Sequence, residues 1–146
     1  MKCKDIMKSD VEHLAPEASI HRAAAVMRDT NVGFLPVCNE SMQVMGTVTD
    51  RDLVIRGLAE GRPDTTPVSD LMTRYLVACN PDDDLDHARE LMATHQKSRI
   101  VCVSRTGRLE GVISLSDIAQ LGETTGIETL REVASRESRS DSINAS

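Results

Sequence analysis

Residues 46–52 read GTVTDRD, and residues 111–117 read GVISLSD. Both stretches follow the pattern Gly-x-x-Thr/Ser-x-x-Asp. Each begins in an apolar run of strand length and ends in a stretch with helical character, so each marks a strand-to-helix junction. A pattern that recurs in this way indicates an internal duplication, and this duplication decides the fold.

The duplication extends well beyond the two motifs. The constant shift that places 46–52 on 111–117 also aligns 5–57 with 70–122 without a gap. The alignment gives 8 identities in 53 pairs, against about 3 expected by chance for this composition. Apolar positions coincide as well, as at Leu35 and Ile100. The whole stretch therefore consists of two copies of one small unit.

Each copy is predicted to have the element order β-α-β-β-α, so the fold class is α/β (α+β). A polar, Pro-containing stretch separates the copies, and the chain turns polar after the second copy. The predicted domains are a first repeat at 1–60, a linker at 61–69, a second repeat at 70–122 and a polar C-terminal tail at 123–146.

The predicted elements follow from the spacing of apolar residues. Strands are expected at 11–14, 33–38, 44–49, 76–79, 99–103 and 109–114. Helices are expected from residues 20 and 85 onward, and at 50–58 and 115–121.

The composition excludes several classes of protein. The formal net charge is −6, and Phe34 and Tyr75 are the only aromatic residues. A negative chain without stacking side chains is poorly suited to bind nucleic acid. No apolar run is long enough to cross a membrane, and the N-terminus lacks the apolar stretch of a signal peptide. We therefore expect a cytoplasmic protein with neither nucleic acid nor membrane as a partner.

The strand-to-helix junction of each motif has the chemistry of a nucleotide site. Free backbone N–H groups at the start of a helix favour a phosphate, and the hydroxyl of Thr49 or Ser114 can donate to it. One turn later, Asp52 or Asp117 is placed to accept hydrogen bonds from the paired hydroxyls of a ribose. The same spacing also matches a plain capping box, in which the aspartate only closes its own helix. Recurrence in both copies favours the nucleotide site.

Several further stretches resemble one known family. The openings Asp5-Ile6-Met7 and Asp70-Leu71-Met72, the run Phe34-Leu35-Pro36-Val37 and the two motifs resemble the CBS-domain pair, also called a Bateman module. The resemblance covers about 3–122. It implies that the two repeats pack sheet to sheet about a pseudo-twofold axis and leave two clefts. It also implies that two such chains associate into a homodimer.

The resemblance further implies an adenine-based ligand: AMP, ADP, ATP or S-adenosylmethionine. Asp52 and Asp117 would hold the ribose, and Thr49 and Ser114 would lie beside the phosphates. The residues expected to flank the base are His13, Leu14, Ala78 and Cys79.

The two copies carry different charges near their motifs. Arg51 lies inside the first motif, where it either meets a phosphate or is a solvated surface charge; Ser116 stands at the equivalent position. The second copy has Arg99 where the first has Phe34, and Val101 replaces the proline expected in that strand. We therefore expect two sites of different affinity.

The sequence predicts a regulatory, non-catalytic protein that senses an adenine nucleotide and signals through a partner. No catalytic signature is present. Two alternatives stay open: a dimeric scaffold or stress-response protein with vestigial clefts, and a metal or redox sensor that uses His13, Cys38 or Cys79. Because no two histidines share a helix face, no metal site is predicted.

Overall fold

The structure is a computed structural model, and it describes residues 1–121 and 133–134. It has the predicted mixed α/β character. The strands are β1 (Phe34–Cys38), β2 (Val44–Thr49), β3 (Ala78–Cys79), β4 (Arg99–Val103) and β5 (Leu109–Ser114). The α-helices are α1 (Ile20–Thr30), α2 (Asp50–Asp52), α3 (Leu85–His95) and α4 (Leu115–Ala119). A π-helical segment, Leu53–Leu58, continues α2, and 3₁₀ turns lie at Cys3–Asp5 and Val68–Asp70.

The strands form two small sheets. β1 pairs antiparallel with β2, which places Phe34 opposite Thr49 and Val37 opposite Gly46. β4 lies between β3 and β5 in a three-stranded sheet. The observed bounds of β1, β2, β4 and β5 confirm the four predicted strands, although β1 begins one residue later than expected.

The prediction of a strand at 11–14 is wrong. A single parallel bridge joins Leu14 to Val37: the N–H of Leu14 donates to the carbonyl of Pro36 at 2.9 Å, and that of Cys38 donates to the carbonyl of Leu14 at 2.9 Å. Pro36 has no N–H, so it cannot donate the bond that would extend this pairing. The pairing therefore stops at one residue.

The second copy shows the effect of the missing proline. Val101 occupies the equivalent place in β4 and keeps its N–H. Here β3 pairs in parallel over two residues, Ala78 with Val101 and Cys79 with Cys102. The strand predicted at 76–79 is therefore present over its last two residues.

The helices α1 and α3 correspond to each other in both length and ends. Each has 11 residues. The side chain of Ser19 caps α1 by accepting a backbone N–H, and that of Asp84 does the same for α3. Each ends at a residue in the left-handed conformation, Asn31 with φ 54° and Gln96 with φ 56°.

The chain forms two compact units. Of the described residues, unit 1 contains 1–9, 77–104, 110–121 and 133–134, and unit 2 contains 10–76 and 105–109. Each unit has its own core of aliphatic and sulfur-containing side chains, as the scarcity of aromatic residues predicts. The fully buried members of these cores include Cys3, Ala88, Met92, Cys102, Ile113 and Ile118 in unit 1, and Ala23, Val37, Val48, Val68 and Leu71 in unit 2.

The opening segment of the chain, residues 1–9, belongs to the unit that contains the second repeat. Lys2 makes an antiparallel bridge with Asp84, and the N–H of Cys3 donates to the carbonyl of Asp83 at 2.9 Å. Cys3 is fully buried. This segment therefore completes the core of unit 1.

The equivalent segment of the second repeat belongs to unit 2 and makes equivalent bonds. Pro67 bridges with Ser19, and the N–H of Val68 donates to the carbonyl of Ala18 at 2.7 Å. Each repeat therefore contributes its opening segment to the unit that contains the other repeat. The positions that make these bonds are the ones that the alignment of the two copies pairs.

The compact units therefore divide the chain differently from the predicted domains. The predicted linker, 61–69, includes the fully buried Val68. Of the predicted tail, 123–146, only Val133 and Ala134 lie within the described residues; both are helical, and Val133 is buried in the core of unit 1. Across 1–121 and 133–134, no helix combines the length and apolar character needed to cross a bilayer.

Candidate functional site

The first motif closes on itself. The side-chain oxygen of Thr49 accepts the N–H of Asp52 at 3.1 Å, and Oδ2 of Asp52 accepts the N–H of Thr49 at 2.9 Å. This reciprocal pair is a capping box. One oxygen of the Asp52 carboxylate is therefore already occupied by the backbone of its own helix.

The second oxygen of Asp52 faces a cation from the same helical segment. Nε of Arg56 lies 3.9 Å from Oδ1 of Asp52, and a terminal nitrogen of Arg56 also donates to the carbonyl of Leu71 at 3.0 Å. Arg51 is the cation that the sequence predicted in the site. It is exposed, and its backbone N–H donates to Oδ1 of Asp50 at 2.8 Å. Both oxygens of Asp52 thus have partners within unit 2.

The second motif is capped but not closed. The side chain of Ser114 accepts the N–H of Asp117 at 3.1 Å, which matches the first motif. The Asp117 carboxylate is 14% exposed, and its Oδ2 is buried without a hydrogen-bond partner among the described residues. Its Oδ1 lies 3.7 Å from Nζ of Lys8, an ion pair with a lysine that is 73% exposed. A buried carboxylate oxygen without a donor is costly, and a ligand hydroxyl would satisfy it.

Two other side chains contribute to the second site: Ser116, inside the motif, and Arg99, beside it. The hydroxyl groups of Ser114 and Ser116 are 3.0 Å apart. The N–H of Leu115 donates to the carbonyl of Ser98 at 2.8 Å, which places the start of β4, and hence the exposed Arg99, beside the start of α4. The structure therefore brings Ser114, Asp117 and Arg99 to one end of the sheet in unit 1.

Packing explains why both motifs begin with glycine. A Cβ at Gly111 would lie 2.7 Å from the carbonyl oxygen of Lys8, and one at Gly46 would lie 2.7 Å from that of Thr73. The backbone that approaches these glycines closely is therefore that of the opening segments of the two repeats.

The residues expected to flank a base lie farther along the sheets. Leu14 pairs with Val37, three residues from Phe34, the partner of Thr49 on β2. At the usual rise this is a separation of about 10 Å. Leu14 is buried in the core of unit 2, and His13 beside it is exposed. Val37 in turn lies opposite Gly46, the first residue of the motif, so one strand, β1, separates Leu14 from the motif.

Ala78 and Cys79, the corresponding pair in unit 1, also lie beside the central strand of a sheet. Ala78 is half-buried beside Val101, and Cys79 is buried in the core. The side chains of Leu14 and Cys79 are thus committed to packing, and both backbone groups of Leu14 already bond to β1.

A hollow of about 370 Å³ lies beside His13 in unit 2. Cys38, Glu17 and Glu40 line it as well. Among the described residues, no three histidine, cysteine or acidic side chains come together as a group able to hold a metal ion.

The thiols are unevenly distributed between the units. Cys3, Cys79 and Cys102 lie in the core of unit 1, where the sulfur atoms of Cys79 and Cys102 are 3.0 Å apart; Cys38 is in unit 2. Burial raises the pKa of Cys3 to about 12 and that of Cys38 to about 11. The hydrogen bond to Cys102, followed by burial, raises the pKa of Cys79. Protonated, buried thiols are weak nucleophiles and weak metal ligands.

Two charged residues near the motifs are missing from the sequence-based site. Arg56 stands four residues after Asp52, a spacing that predicts an ion pair on a helix. Lys8 lies in the first repeat of the sequence and Asp117 in the second, and the two meet only because the opening segments are exchanged. No local signal in the sequence indicates that contact.

Comparison with known proteins identifies both repeats. The family model for the CBS domain matches residues 3–57 and 68–123. CBS domain-containing protein YhcV of Bacillus subtilis (strain 168) is 40% identical over 116 residues, which cover 80% of this chain and 81% of that protein. Hypoxic response protein 1 of Mycobacterium tuberculosis is 31% identical over 118 residues, which cover 80% of this chain and 82% of that protein.

Solved structures give the same fold. Hypoxic Response Protein I, solved with two coordinated zinc ions, superposes with a TM-score of 0.75 at 30% identity over 82% of this chain and 98% of that one. The CBS domain pair of protein MJ0100, solved in complex with 5'-methylthioadenosine and S-adenosyl-L-methionine, superposes with a TM-score of 0.74 at 25% identity over 83% of this chain and 94% of that one.

Proposed function

The chain belongs to the CBS domain family, and on that premise we propose that it is a regulatory, non-catalytic protein that binds an adenine-containing ligand and signals through a partner. The proposal places the principal site at the second motif. The observation that carries it is the buried Oδ2 of Asp117, to which no residue within 1–121 or 133–134 donates a hydrogen bond.

The chemistry of Asp117 selects the part of the ligand that it meets. An ionised carboxylate only accepts hydrogen bonds, so it requires a group with O–H or N–H donors. Paired ribose hydroxyls supply two such donors at neighbouring positions. The hydroxyls of Ser114 and Ser116 hydrogen-bond each other at 3.0 Å, which leaves one of their two O–H groups to donate to a further oxygen of the same ligand.

The related structure supports an adenosine as the ligand class. The CBS domain pair of MJ0100 was solved with 5'-methylthioadenosine and S-adenosyl-L-methionine, and both molecules carry an adenosine with free ribose hydroxyls. We propose that this chain binds a ligand of the same class, namely AMP, ADP, ATP or S-adenosylmethionine.

The first motif is proposed as the weaker site. A ribose there would have to replace the bond from the Thr49 N–H to Asp52, which measures 2.9 Å. Breaking a bond to a charged acceptor costs about 1.5–3 kcal/mol before the ligand gains anything. The second motif has no such bond to break.

We also propose that the chain forms a homodimer through the segment after the first motif. Val54, Ile55 and Leu58 are 52%, 49% and 77% exposed. Three large apolar side chains within one π-helical segment form a surface suited to a protein partner. Light scattering of wild type and Leu58→Glu tests the assignment: a dimer that the variant converts to a monomer supports it, whereas a monomeric wild type contradicts it.

Thermal unfolding with a panel of ligands tests the ligand-binding function. We expect at least one of AMP, ADP, ATP and S-adenosylmethionine to raise the melting temperature of wild type, because a ligand that binds only the folded state stabilises it. Asp117→Asn, which keeps the shape of the side chain but removes its charge, should lose most of that rise.

Two outcomes would contradict the proposal. A melting temperature unmoved by all four ligands would favour the scaffold alternative, in which the motifs serve only the fold. A rise retained when Asp52→Asn and Asp117→Asn are combined would place the ligand elsewhere. Asp64→Asn is a matched control, since its exposed carboxylate lies beside His21, at 3.9 Å, and takes no part in either motif.

A further inference from the structure

Lys8 is fixed in place beside the second motif by its backbone. Its N–H donates to the carbonyl of Val112 at 3.0 Å, and the N–H of Val112 donates to its carbonyl at 3.0 Å. Gly111 permits this approach because any side chain there would meet the Lys8 carbonyl oxygen. The Cα of Lys8 is thus held, whereas its side chain is 73% exposed and ends 3.7 Å from Oδ1 of Asp117.

The equivalent position of the other repeat carries no charge. Thr73 is held against Thr47 by the same pair of backbone bonds, at 2.8 and 3.0 Å. The cation beside Asp52 is instead Arg56, which is also bonded to the Leu71 carbonyl. An exposed ammonium next to the motif aspartate is therefore a feature of the second site and not of the repeat as such.

Two cationic side chains lie near the second motif. Besides the carboxylate of Asp117, two cations lie there: Lys8, whose ammonium is 3.7 Å from Asp117, and the exposed Arg99 at the start of β4. A ligand whose ribose hydroxyls meet Asp117 carries its 5' substituent on the same sugar ring, only a few bonds from those hydroxyls. The lysine side chain is long and flexible, so its ammonium can follow the substituent.

The charge of the 5' substituent decides whether the Lys8 ammonium attracts or repels the ligand. AMP, ADP and ATP carry phosphate there, and S-adenosylmethionine carries a cationic sulfonium. We propose that Lys8 makes the Asp117 site selective for adenine nucleotides with a 5' phosphate over S-adenosylmethionine. The inference rests on the proposed function, since it takes the Asp117 site as the place where the ligand binds.

Titration calorimetry of the full chain with AMP and with S-adenosylmethionine tests the inference. The variant is Lys8→Thr, which installs the residue that the other repeat has at this position. We expect the ratio of AMP affinity to S-adenosylmethionine affinity to fall about tenfold, which is the size of a unit charge acting over several ångströms near the protein surface. The loss should shrink at high salt because Lys8 is exposed.

Lys4→Thr is the matched control. It removes the same charge from the same opening segment, but the Lys4 ammonium lies 3.2 Å from Asp82. Its affinity ratio should equal that of wild type. Lys8→Gln, which keeps most of the length of the side chain, serves as a second variant if Lys8→Thr fails to fold, and it should show the same fall.

The outcomes separate this inference from the proposed function. Binding of neither ligand by wild type would overturn both. Binding that needs Asp117 but has an affinity ratio unchanged in the Lys8 variants would overturn the role of Lys8 and leave the proposed function standing. An equal fall in Lys4→Thr would assign the effect to net charge and would likewise overturn it.

Discussion

The two copies of the motif use the same aspartate in different ways. Asp52 accepts the backbone N–H of Thr49 at 2.9 Å and so completes its own cap. Asp117, at the same position in the second copy, has one oxygen beside Lys8 and one buried oxygen that has no partner in the part of the chain that the structure describes.

The surroundings explain this difference. Unit 1, which contains the second motif, supplies Lys8 where unit 2 has Thr73, and this cation lies 3.7 Å from one Asp117 oxygen. It also supplies Ser116, whose hydroxyl lies 3.0 Å from that of Ser114, where the first copy has Arg51. A capping box and a ligand site are thus alternative uses of one carboxylate, and a repeated motif does not by itself give two equal sites.

Substitution of the motif glycines should have the largest effect on stability and should affect both copies alike. Gly46→Ala and Gly111→Ala each place a Cβ 2.7 Å from a backbone carbonyl, which cannot move aside. We expect each to lower the free energy of unfolding by about 1–3 kcal/mol, the usual cost of overpacking. Urea unfolding measures the change.

Gly57→Ala is the matched control for these two variants. A Cβ there would meet the ends of the Leu71 and Ile20 side chains, at 3.1 and 3.3 Å, and both can rotate. It should cost less than either motif glycine. Equal costs for all three variants would show that the opening segments are not clamped at Gly46 and Gly111.

Raising the pH should destabilise the chain through its buried thiols. Because the folded-state pKa values of Cys3 and Cys38 are about 12 and 11, above the ordinary value of 9.0, the folded state holds these protons longer. Their contribution is therefore complete below pH 9 and is lost as the pH rises toward 11–12. The expected loss is about 1 kcal/mol per thiol over the first pH unit above 9.

Cysteine variants distinguish the two units in this titration. Urea unfolding between pH 8 and pH 10.5 measures how the free energy of unfolding declines as the pH rises. The decline should be shallower for Cys3→Ala, from unit 1, and for Cys38→Ala, from unit 2, because each variant lacks one of the thiols. The two changes should add when combined, because the thiols lie in separate units. A decline as steep in the double variant as in wild type would contradict the assignment.

The two aspartates should differ in their effect on stability without ligand. Asp52→Ala removes half of a capping box and should lower the free energy of unfolding by about 1 kcal/mol. Asp117→Ala removes a buried oxygen that lacks a partner and an exposed ion pair, which together contribute close to zero. Urea unfolding of the two variants measures the difference. A larger loss from Asp117→Ala would mean that Asp117 is a structural residue.

Much of the fold could be predicted because it depends on local patterns. The apolar periodicity and the repeat place the strands of both hairpins within a residue of their observed bounds. The short strand at 11–14 could not be placed, because its length depends on whether the neighbouring strand offers an N–H, and Pro36 does not.

The sites could be predicted less fully, because they depend on contacts between distant residues. The spacing identifies Thr49 with Asp52 and Ser114 with Asp117, but the same spacing fits both a cap and a ligand site. What separates them is Lys8, which the exchanged opening segment brings to Asp117.

The central claim is that Asp117 receives the ligand and Asp52 serves its own helix. Titration calorimetry of AMP with wild type, Asp52→Ala and Asp117→Ala tests it most directly. We predict that Asp117→Ala weakens the tighter binding event about 100-fold, the loss of two hydrogen bonds to a charged acceptor, and that Asp52→Ala changes it by less than about threefold. A tight event that survives in Asp117→Ala but disappears in Asp52→Ala would contradict the account.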